Sequence, residues 1–203
     1  EILKEFSGTI SEEKLVIGRL VIGEQKKYLD RIYITFENNN LNLENSGINF
    51  SKYDVDRKIK LPEKITPELA EEIGMHFGDG FLSDKRYEYR LKGNPKDEKE
   101  YYINYIKPLF KKLYNSEIQL KDFGDTFGFE LKSKAIWEFK TKVLKIKPGK
   151  KYDLTIPDTI KINNQKIITS FIRGLFDTDG SLSFKSKYGY SKYYPCIELT
   201  LAS

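Results

Sequence analysis

Two short segments of the chain resemble each other, and this internal repeat constrains the fold more than any other feature. The first runs from Gly74 to Ser83 and the second from Gly174 to Ser183, and each contains one of the two Asp-Gly dipeptides in the sequence. In both copies an apolar stretch leads to the aspartate. A duplicated acid predicts a two-fold arrangement in which one carboxylate from each copy meets the other.

Length and composition describe a chain that can bury a core. It has 203 residues, of which 39% are hydrophobic, enough for one large domain or two small ones. No apolar run reaches bilayer length and no secretory signal is visible, so we predict an intracellular protein without a membrane partner. The single Cys196 and the single His76 exclude an internal disulfide framework and a structural zinc site.

Positive charge is concentrated in the last third of the chain. Residues 132–203 hold 14 basic and 6 acidic side chains. Such an excess favours a polyanionic partner, since lysines opposite phosphates release condensed counterions. A lysine-rich solvated surface, as in heat-adapted proteins, gives the same composition.

The repeated segments are predicted to be helices. Thr66 and Pro67 supply a capping hydroxyl and a proline at the first helical position. We expect this helix to end at Gly80 in the left-handed conformation. The matching helix of the second copy spans about Asn164 to Asp179.

Other elements follow from apolar periodicity. Helices are predicted at 97–114, kinked near Pro108, and at 134–146, and a further helix after Thr9. Strands are predicted at 82–92, 117–121, 126–132, 181–187 and 196–201, with turns or loops at 37–45 and 123–125.

These elements predict an α+β fold made of two related units. Residues 1–62 form an N-terminal accessory segment, 63–147 the first repeat, 148–162 a linker and 163–203 the second repeat. The second copy lacks the helix, hairpin and closing helix that follow the first Asp-Gly. We therefore expect an incomplete second repeat, either because the chain is a fragment or because the protein is naturally half-deleted there.

The chemistry of the repeat points to a metal site. Small residues four apart, Gly74 with Gly78 and Gly174 with Thr178, let two helix backbones approach closely. Asp79 and Asp179 would then meet at two helix C-termini, where the dipoles and mutual repulsion oppose ionisation.

A divalent cation would relieve this repulsion. Two aspartates with open positions for water and phosphate describe a site for Mg²⁺, or Mn²⁺, in phosphodiester hydrolysis. Gly78 and Thr178 are further candidate ligands. Asp177 has no acidic counterpart in the first copy and is expected to be structural, and His76 is expected to be buried.

The segment from Phe171 to Ser181 closely resembles the signature of the LAGLIDADG homing endonucleases, and Leu69 to Gly80 resembles a divergent form of it. The resemblance covers residues 66–203. It implies pseudo-two-fold αββαββα repeats with the motif helices at the centre and Asp79 and Asp179 as catalytic, metal-binding acids. It implies a site-specific endonuclease that makes metal-dependent double-strand cuts in DNA, monomeric if the second repeat is complete.

The resemblance also implies contacts between strands and DNA. Polar residues on the predicted strand faces could reach phosphates and base edges, although a solvated sheet face would look the same. These candidates are Arg86, Glu88, Arg90, Lys92, Gln119, Lys121, Lys132, Lys185 and Lys187.

One departure from the family concerns its catalytic lysine. The family often places it just before an Ile-Pro pair, but Leu154 and Thr155 precede Ile156 here, so Lys150 and Lys151 are the nearest candidates. Two other functions remain open: a non-cleaving nucleic-acid binder, such as an intron-splicing cofactor or regulator, and a purely structural module.

Overall fold

The computed structural model describes residues 16–22, 27–33, 39–151, 155–186 and 193–200, and only the backbone of the first two ranges and of residue 193. The elements alternate between helices and short strands. In chain order they are β1 (Val16–Ile22), β2 (Lys27–Tyr33), α1 (Lys52–Asp56), α2 (Pro67–Gly78), β3 (Gly80–Leu82), β4 (Glu88–Gly93), α3 (Lys99–Tyr101), α4 (Lys107–Tyr114), β5 (Lys121–Asp122), β6 (Phe127–Lys132), α5 (Lys134–Glu138), α6 (Asp158–Lys161), α7 (Gln165–Asp179), β7 (Gly180–Ser186) and β8 (Tyr193–Leu199).

The fold is a mixed α+β architecture with small antiparallel sheets, as the sequence predicts at this level. One sheet has four strands in the order β3-β4-β6-β5, and the pairs β1-β2 and β7-β8 form two-stranded sheets. All strand pairs are antiparallel. Among the described residues, no helix is long and apolar enough to cross a bilayer.

Helix α2 begins as predicted and ends differently. The Thr66 hydroxyl accepts the Leu69 amide at 3.2 Å and Pro67 opens the helix. The predicted left-handed Gly80 is wrong, because Asp79 caps the helix at φ −93° and Gly80 already belongs to β3. Glycine is needed there for space, since a Cβ would lie 2.5 Å from His76 Cα. The helix therefore passes directly into the strand, with Asp79 at the junction.

The strand predicted at 82–92 is two strands. Apolar and polar residues go on alternating through the turn at residues 83–87. The sequence therefore predicts a single strand where the structure has two antiparallel strands, β3 and β4. Glu88 was expected on the exposed polar face but is 2% exposed, and its carboxylate accepts Arg90 Nε at 2.6 Å.

Two predicted helices contain π-helical turns. The helix expected at 97–114 begins at Lys99, widens to a π-helix over Tyr102–Ile106 and continues as α4. The change precedes Pro108, which lacks an amide hydrogen for the normal pattern. The helix expected at 134–146 likewise becomes π-helical over Phe139–Val143.

The core lies between α2, α4 and the four-stranded sheet. Tyr89 of β4 stacks on Phe110 of α4 with ring centroids 5.9 Å apart, and Phe129 of β6 packs edge-on against both rings. Such pairs add to the stabilisation from burial alone. This packing fixes α4 against the sheet.

Residues 39–61 pack onto the first repeat. Leu41 and Ile59 join its core, and the buried Asp54 carboxylate accepts Ser133 Oγ at 2.6 Å and the Ala135 amide at 3.2 Å. The predicted helix after Thr9 lies outside the described residues. The β1-β2 hairpin was not predicted.

The second half repeats the start of the first. Helix α7 lies where the sequence predicts it, with Asn164 as its cap, and it passes directly into β7 as α2 passes into β3. Strand β8 begins at Tyr193 and ends at Leu199, earlier than the predicted 196–201, and the short α6 was not predicted.

Candidate metal-binding site

Helices α2 and α7 pack against each other through glycine. A Cβ on Gly74 would overlap the carbonyl oxygen of Phe171, and a Cβ on Gly174 would overlap the carbonyl oxygen of Glu71. Residues 71 and 171 occupy equivalent places in the two copies, so one contact is made twice in reciprocal form. The two helices therefore meet through equivalent glycines.

The same interface brings the two C-termini together. A Cβ on Gly78 would overlap the Thr178 hydroxyl and would lie 3.3 Å from the Asp179 carboxyl carbon. Asp179 therefore lies beside the residue that precedes Asp79. Thr178 itself donates to the carbonyl of Leu175 at 3.0 Å, so its hydroxyl hydrogen is already used.

Lys151 reaches the site and contacts a predicted metal ligand. Its Nζ donates to the carbonyl oxygens of Gly78 and, at 3.4 Å, Phe77. Both aspartates favour its ammonium form, although burial lowers the pKa of Lys151 overall. Lys150, the other predicted lysine, is exposed. The Lys151 ammonium is itself a cation, and it lies near two acids and a carbonyl oxygen. Its place shows that this position attracts positive charge.

The surroundings of the two aspartates disfavour their ionised form. Burial, then the charges of Glu98 and Asp179, raise the pKa of Asp79 to about 7, while Lys151 opposes the shift. Burial also raises the pKa of Asp179, again opposed by Lys151. A cation would stabilise both carboxylates, because its positive charge replaces the stabilisation by water that burial removes.

We expect Asp79→Asn to stabilise the metal-free protein at pH 8. Because the folded pKa of about 7 exceeds the usual aspartate value, folding takes up a proton between these values. The wild-type protein thus loses stability as the pH rises through this window, whereas the amide has no proton to lose. Denaturant unfolding at pH 5 and pH 8 measures the difference.

Asp158→Asn is the matched control, because this carboxylate is exposed in the short helix α6. Asp79→Asn should gain stability over the wild type between pH 5 and pH 8, and the control should not. Equal pH dependence in wild type and Asp79→Asn would contradict the electrostatic environment described above.

Glu98 is a site neighbour that the sequence did not reveal. Its carboxylate accepts the Asn94 amide at 2.5 Å, and burial is the main reason why its pKa is raised. It lines a cavity of 610 Å³ that also reaches Asp79 and Thr178. The sequence gives no reason to select Glu98, because this residue lies outside the repeated motif.

A second cluster of polar side chains connects α2 and α7 to the end of α3 and the π-helical turn that follows it. Arg173 forms a bidentate ion pair with the buried Glu71, with Nε 2.9 Å from Oε1. The Tyr105 hydroxyl also donates to Glu71, at 2.8 Å. Asp177 accepts the Tyr101 hydroxyl at 3.2 Å, in keeping with the structural role predicted for it.

A buried ion pair lies beneath the site. Lys140 Nζ is 2.7 Å from both carboxylate oxygens of Glu72 and 4.4 Å from the Tyr89 ring centroid. His76 is buried as predicted, its Nδ1 has no hydrogen-bond partner among the described residues, and burial holds its pKa well below its usual value. The Glu72–Lys140 pair joins α2 to the π-helical turn over Phe139–Val143.

Some of the residues predicted to contact DNA form ion pairs within the protein. Lys92 is 2.7 Å from Glu130 and Arg90 pairs with Glu88, while Lys185 pairs with Glu198. Lys187 lies outside the described residues. Lys185 is exposed as well as paired, and the other exposed candidates are Arg86, Gln119, Lys121 and Lys132. The last three line a groove of 560 Å³.

The protein supplies a limited share of any metal shell. In the described part of the chain, no group of three or more histidine, cysteine, aspartate or glutamate side chains could hold a metal ion. The donors at the site fit a hard cation, since they are carboxylate and carbonyl oxygens. Water or a ligand would have to complete its coordination.

Comparison with known proteins gives one distant, partial relative. No family model matches the sequence. A glutamine–fructose-6-phosphate aminotransferase (isomerizing) of Methanocaldococcus jannaschii is 28% identical over 148 residues, which are 70% of this chain and 13% of the relative. The match therefore spans a small part of that protein's length.

This match contradicts the predicted function. The relative is named for an aminotransferase and not for a site-specific DNA endonuclease or a silent nucleic-acid binder. The physical reason for the error is that two short motifs constrain helix packing and acid placement but not the bond that is broken. The relative is an enzyme, which is consistent with an enzymatic role in general.

Proposed function

We propose that the paired ends of α2 and α7 bind a divalent cation, Mg²⁺ or Mn²⁺, and through it the phosphate group of a substrate. The observation that carries this proposal is the meeting of Asp79, Asp179 and Lys151. Two partly buried carboxylates and one ammonium form a polar site that favours a bound cation and, through it, an anion.

Each residue has a distinct task in this proposal. Asp79 and Asp179 hold the cation, which supplies Lewis-acid polarisation of a phosphate oxygen when bound. Lys151 leaves the Gly78 carbonyl and donates to a phosphate oxygen, which offsets the charge of the incoming ligand. The ester lies in the cavity beside Asp79, between Glu98 and Thr178.

Two observations suggest which kinds of phosphate-bearing molecule to test at this site. The relative's name includes fructose 6-phosphate, a phosphomonoester. Duplex DNA, the predicted partner, carries phosphodiesters and would meet the exposed cations Arg86, Lys121 and Lys132. The two differ in size, and both present phosphate oxygens to the same cation.

The resemblance to the LAGLIDADG family is kept as a proposal about architecture. Its support is the reciprocal glycine contact between α2 and α7 and the direct passage of each helix into a hairpin. This proposal concerns how the two halves are arranged, and it carries no statement about DNA cleavage.

The test of the proposal is calorimetric titration with phosphate-bearing ligands in the presence and absence of Mn²⁺. We expect fructose 6-phosphate or duplex DNA to bind only with the metal, and fructose to fail. Asp79→Asn and Asp179→Asn should each weaken binding by about tenfold or more, since each removes a charged ligand of the cation.

Asp177→Asn is the matched control, because Asp177 lies two residues from Asp179 and contacts Tyr101 instead. It should bind like the wild type. Metal-independent binding, or equal affinity in the wild type and both site variants, would overturn the proposal, as would failure of both phosphate-bearing ligands.

A further inference from the structure

Lys151 reaches the paired aspartates from a loop that is anchored to the first hairpin. The Gly149 amide donates to the Leu82 carbonyl at 2.8 Å, which holds the loop at the end of β3, the strand that begins directly after Asp79. Gly149 has a φ of +94°, a left-handed value that favours glycine. Two residues further on, the Lys151 side chain is partly buried. The fold itself therefore delivers this ammonium group to the site.

The Lys151 ammonium contacts the kinds of oxygen that a cation at this site would need. It donates to the carbonyl oxygens of Gly78 and, at 3.4 Å, Phe77. The charges of Asp179 and Asp79 favour its ammonium form against the effect of burial on its pKa. Carbonyl and carboxylate oxygens are also the ligands that Mg²⁺ and Mn²⁺ prefer. The ammonium group and a divalent cation would therefore compete for the same donors.

Repulsion between like charges adds to this competition. The site is partly buried, so charges interact there more strongly than they do in water. A divalent cation beside Asp79 and Asp179 would lie close to the Lys151 ammonium as long as the latter stays on the Gly78 carbonyl. Cation binding is therefore weakened unless Lys151 moves.

Two other lysines line the cavity beside Asp79, but they are occupied or exposed. Lys92 is 2.7 Å from Glu130 and lies 3.5 Å from the centroid of the Phe123 ring. Lys96 is exposed. By contrast, Lys151 opposes the rise that burial causes in the pKa of Asp79. The competing ammonium group is therefore that of Lys151.

We infer that Lys151 is an internal competitor of the metal ion, which weakens cation binding until a phosphate group draws the ammonium away from the Gly78 carbonyl. The inference rests on the proposed function and adds cooperativity to it. A phosphate-bearing ligand strengthens cation binding, and by linkage the cation strengthens phosphate binding by the same factor. The site thus holds its cation tightly only together with a ligand.

The test compares the Mn²⁺ affinities of the wild type and Lys151→Met, first with the metal alone and then with inorganic phosphate. Free Mn²⁺ is followed by electron paramagnetic resonance and calibrated in each buffer. Without phosphate, Lys151→Met should bind Mn²⁺ about tenfold more tightly, because the competing charge is gone. Phosphate should strengthen Mn²⁺ binding by a factor at least about fivefold larger in the wild type than in Lys151→Met.

Three further variants locate the effect. Lys147→Met removes the same charge from an exposed position earlier in the loop, and it should bind Mn²⁺ as the wild type does under both conditions. Lys151→Gln is a second neutral variant with a polar end group, and it should show the same gain as Lys151→Met. Adding Asp79→Asn to Lys151→Met should cancel the gain, because the gain arises at this site.

Equal or weaker Mn²⁺ binding by Lys151→Met and Lys151→Gln without phosphate would overturn the inference and leave the cation site in place. An equal effect of phosphate on the wild type and Lys151→Met would also overturn it, since the lysine would then not couple the two ligands. A lack of Mn²⁺ binding in the wild type and in both Lys151 variants would instead overturn the proposed function, and this inference with it.

Discussion

Replacing Lys140 with methionine should lower the free energy of unfolding by about 3 to 5 kcal/mol, the largest effect expected of any single substitution here. The ammonium of Lys140 holds both oxygens of Glu72, and neither side chain has any exposed surface. Without Lys140, Glu72 loses its ammonium partner and still accepts the neutral Tyr114 hydroxyl, at 3.1 Å. A buried carboxylate that has lost its cation is costly, which is the source of the loss.

Adding Glu72→Leu to Lys140→Met should recover at least half of that loss. The double variant removes the uncompensated charge and fills the space with apolar groups, and such replacements are often neutral. It leaves the Tyr114 hydroxyl unpartnered, which costs about 1 to 3 kcal/mol. Recovery in the double variant would show that the single variant suffers from an orphaned charge and not from lost packing.

Lys142→Met is the control for this pair, because Lys142 lies two residues away and is 38% exposed, 3.1 Å from Glu138. Its loss should be within about 1 kcal/mol of zero, as for other exposed ion pairs. Urea unfolding of the four proteins measures these values. Equal losses in Lys140→Met and Lys142→Met would contradict the buried-pair interpretation.

The second large effect is expected at the glycines of the helix interface. Gly74→Ala or Gly174→Ala should destabilise the protein by about 1 to 3 kcal/mol. In an isolated helix the same change would be stabilising by about 1 kcal/mol. The sign reverses because each new methyl group meets backbone, which cannot move aside: besides the overlapping oxygens, Leu175 N would be 2.8 Å from the Cβ of residue 74.

These alanine variants should also weaken cation binding, because separating α2 from α7 separates Asp79 from Asp179. Ile172→Ala is the control, since Ile172 lies on α7 with 53% of its surface exposed. It should change neither stability by more than about 1 kcal/mol nor metal affinity. An increase in stability in Gly74→Ala would mean that the helices do not touch through this residue.

The sequence predicted the features that are local or repeated. Thr66 marks a helix start because a capping hydroxyl acts within three residues, and it caps as expected. The duplicated Gly and Asp positions predicted that α2 and α7 pack together, because small residues at equivalent positions let the two helix backbones approach closely.

Features set by distant residues were missed. The Glu72–Lys140 pair joins positions 68 apart in sequence, and neither residue stands out in its own segment. The separation of β3 from β4 was missed because apolar alternation continued through the turn between them. Glu98 comes near Asp79 only because the chain folds back after β4.

The most direct test of the shared cation is titration of the metal-free protein with Mn²⁺, with free metal followed by electron paramagnetic resonance. The wild type should bind one Mn²⁺ at this site, and Asp79→Asn and Asp179→Asn should each lose it, while Asp177→Asn keeps it. Retention of the bound Mn²⁺ in either of the first two variants would show that the two carboxylates do not share an ion.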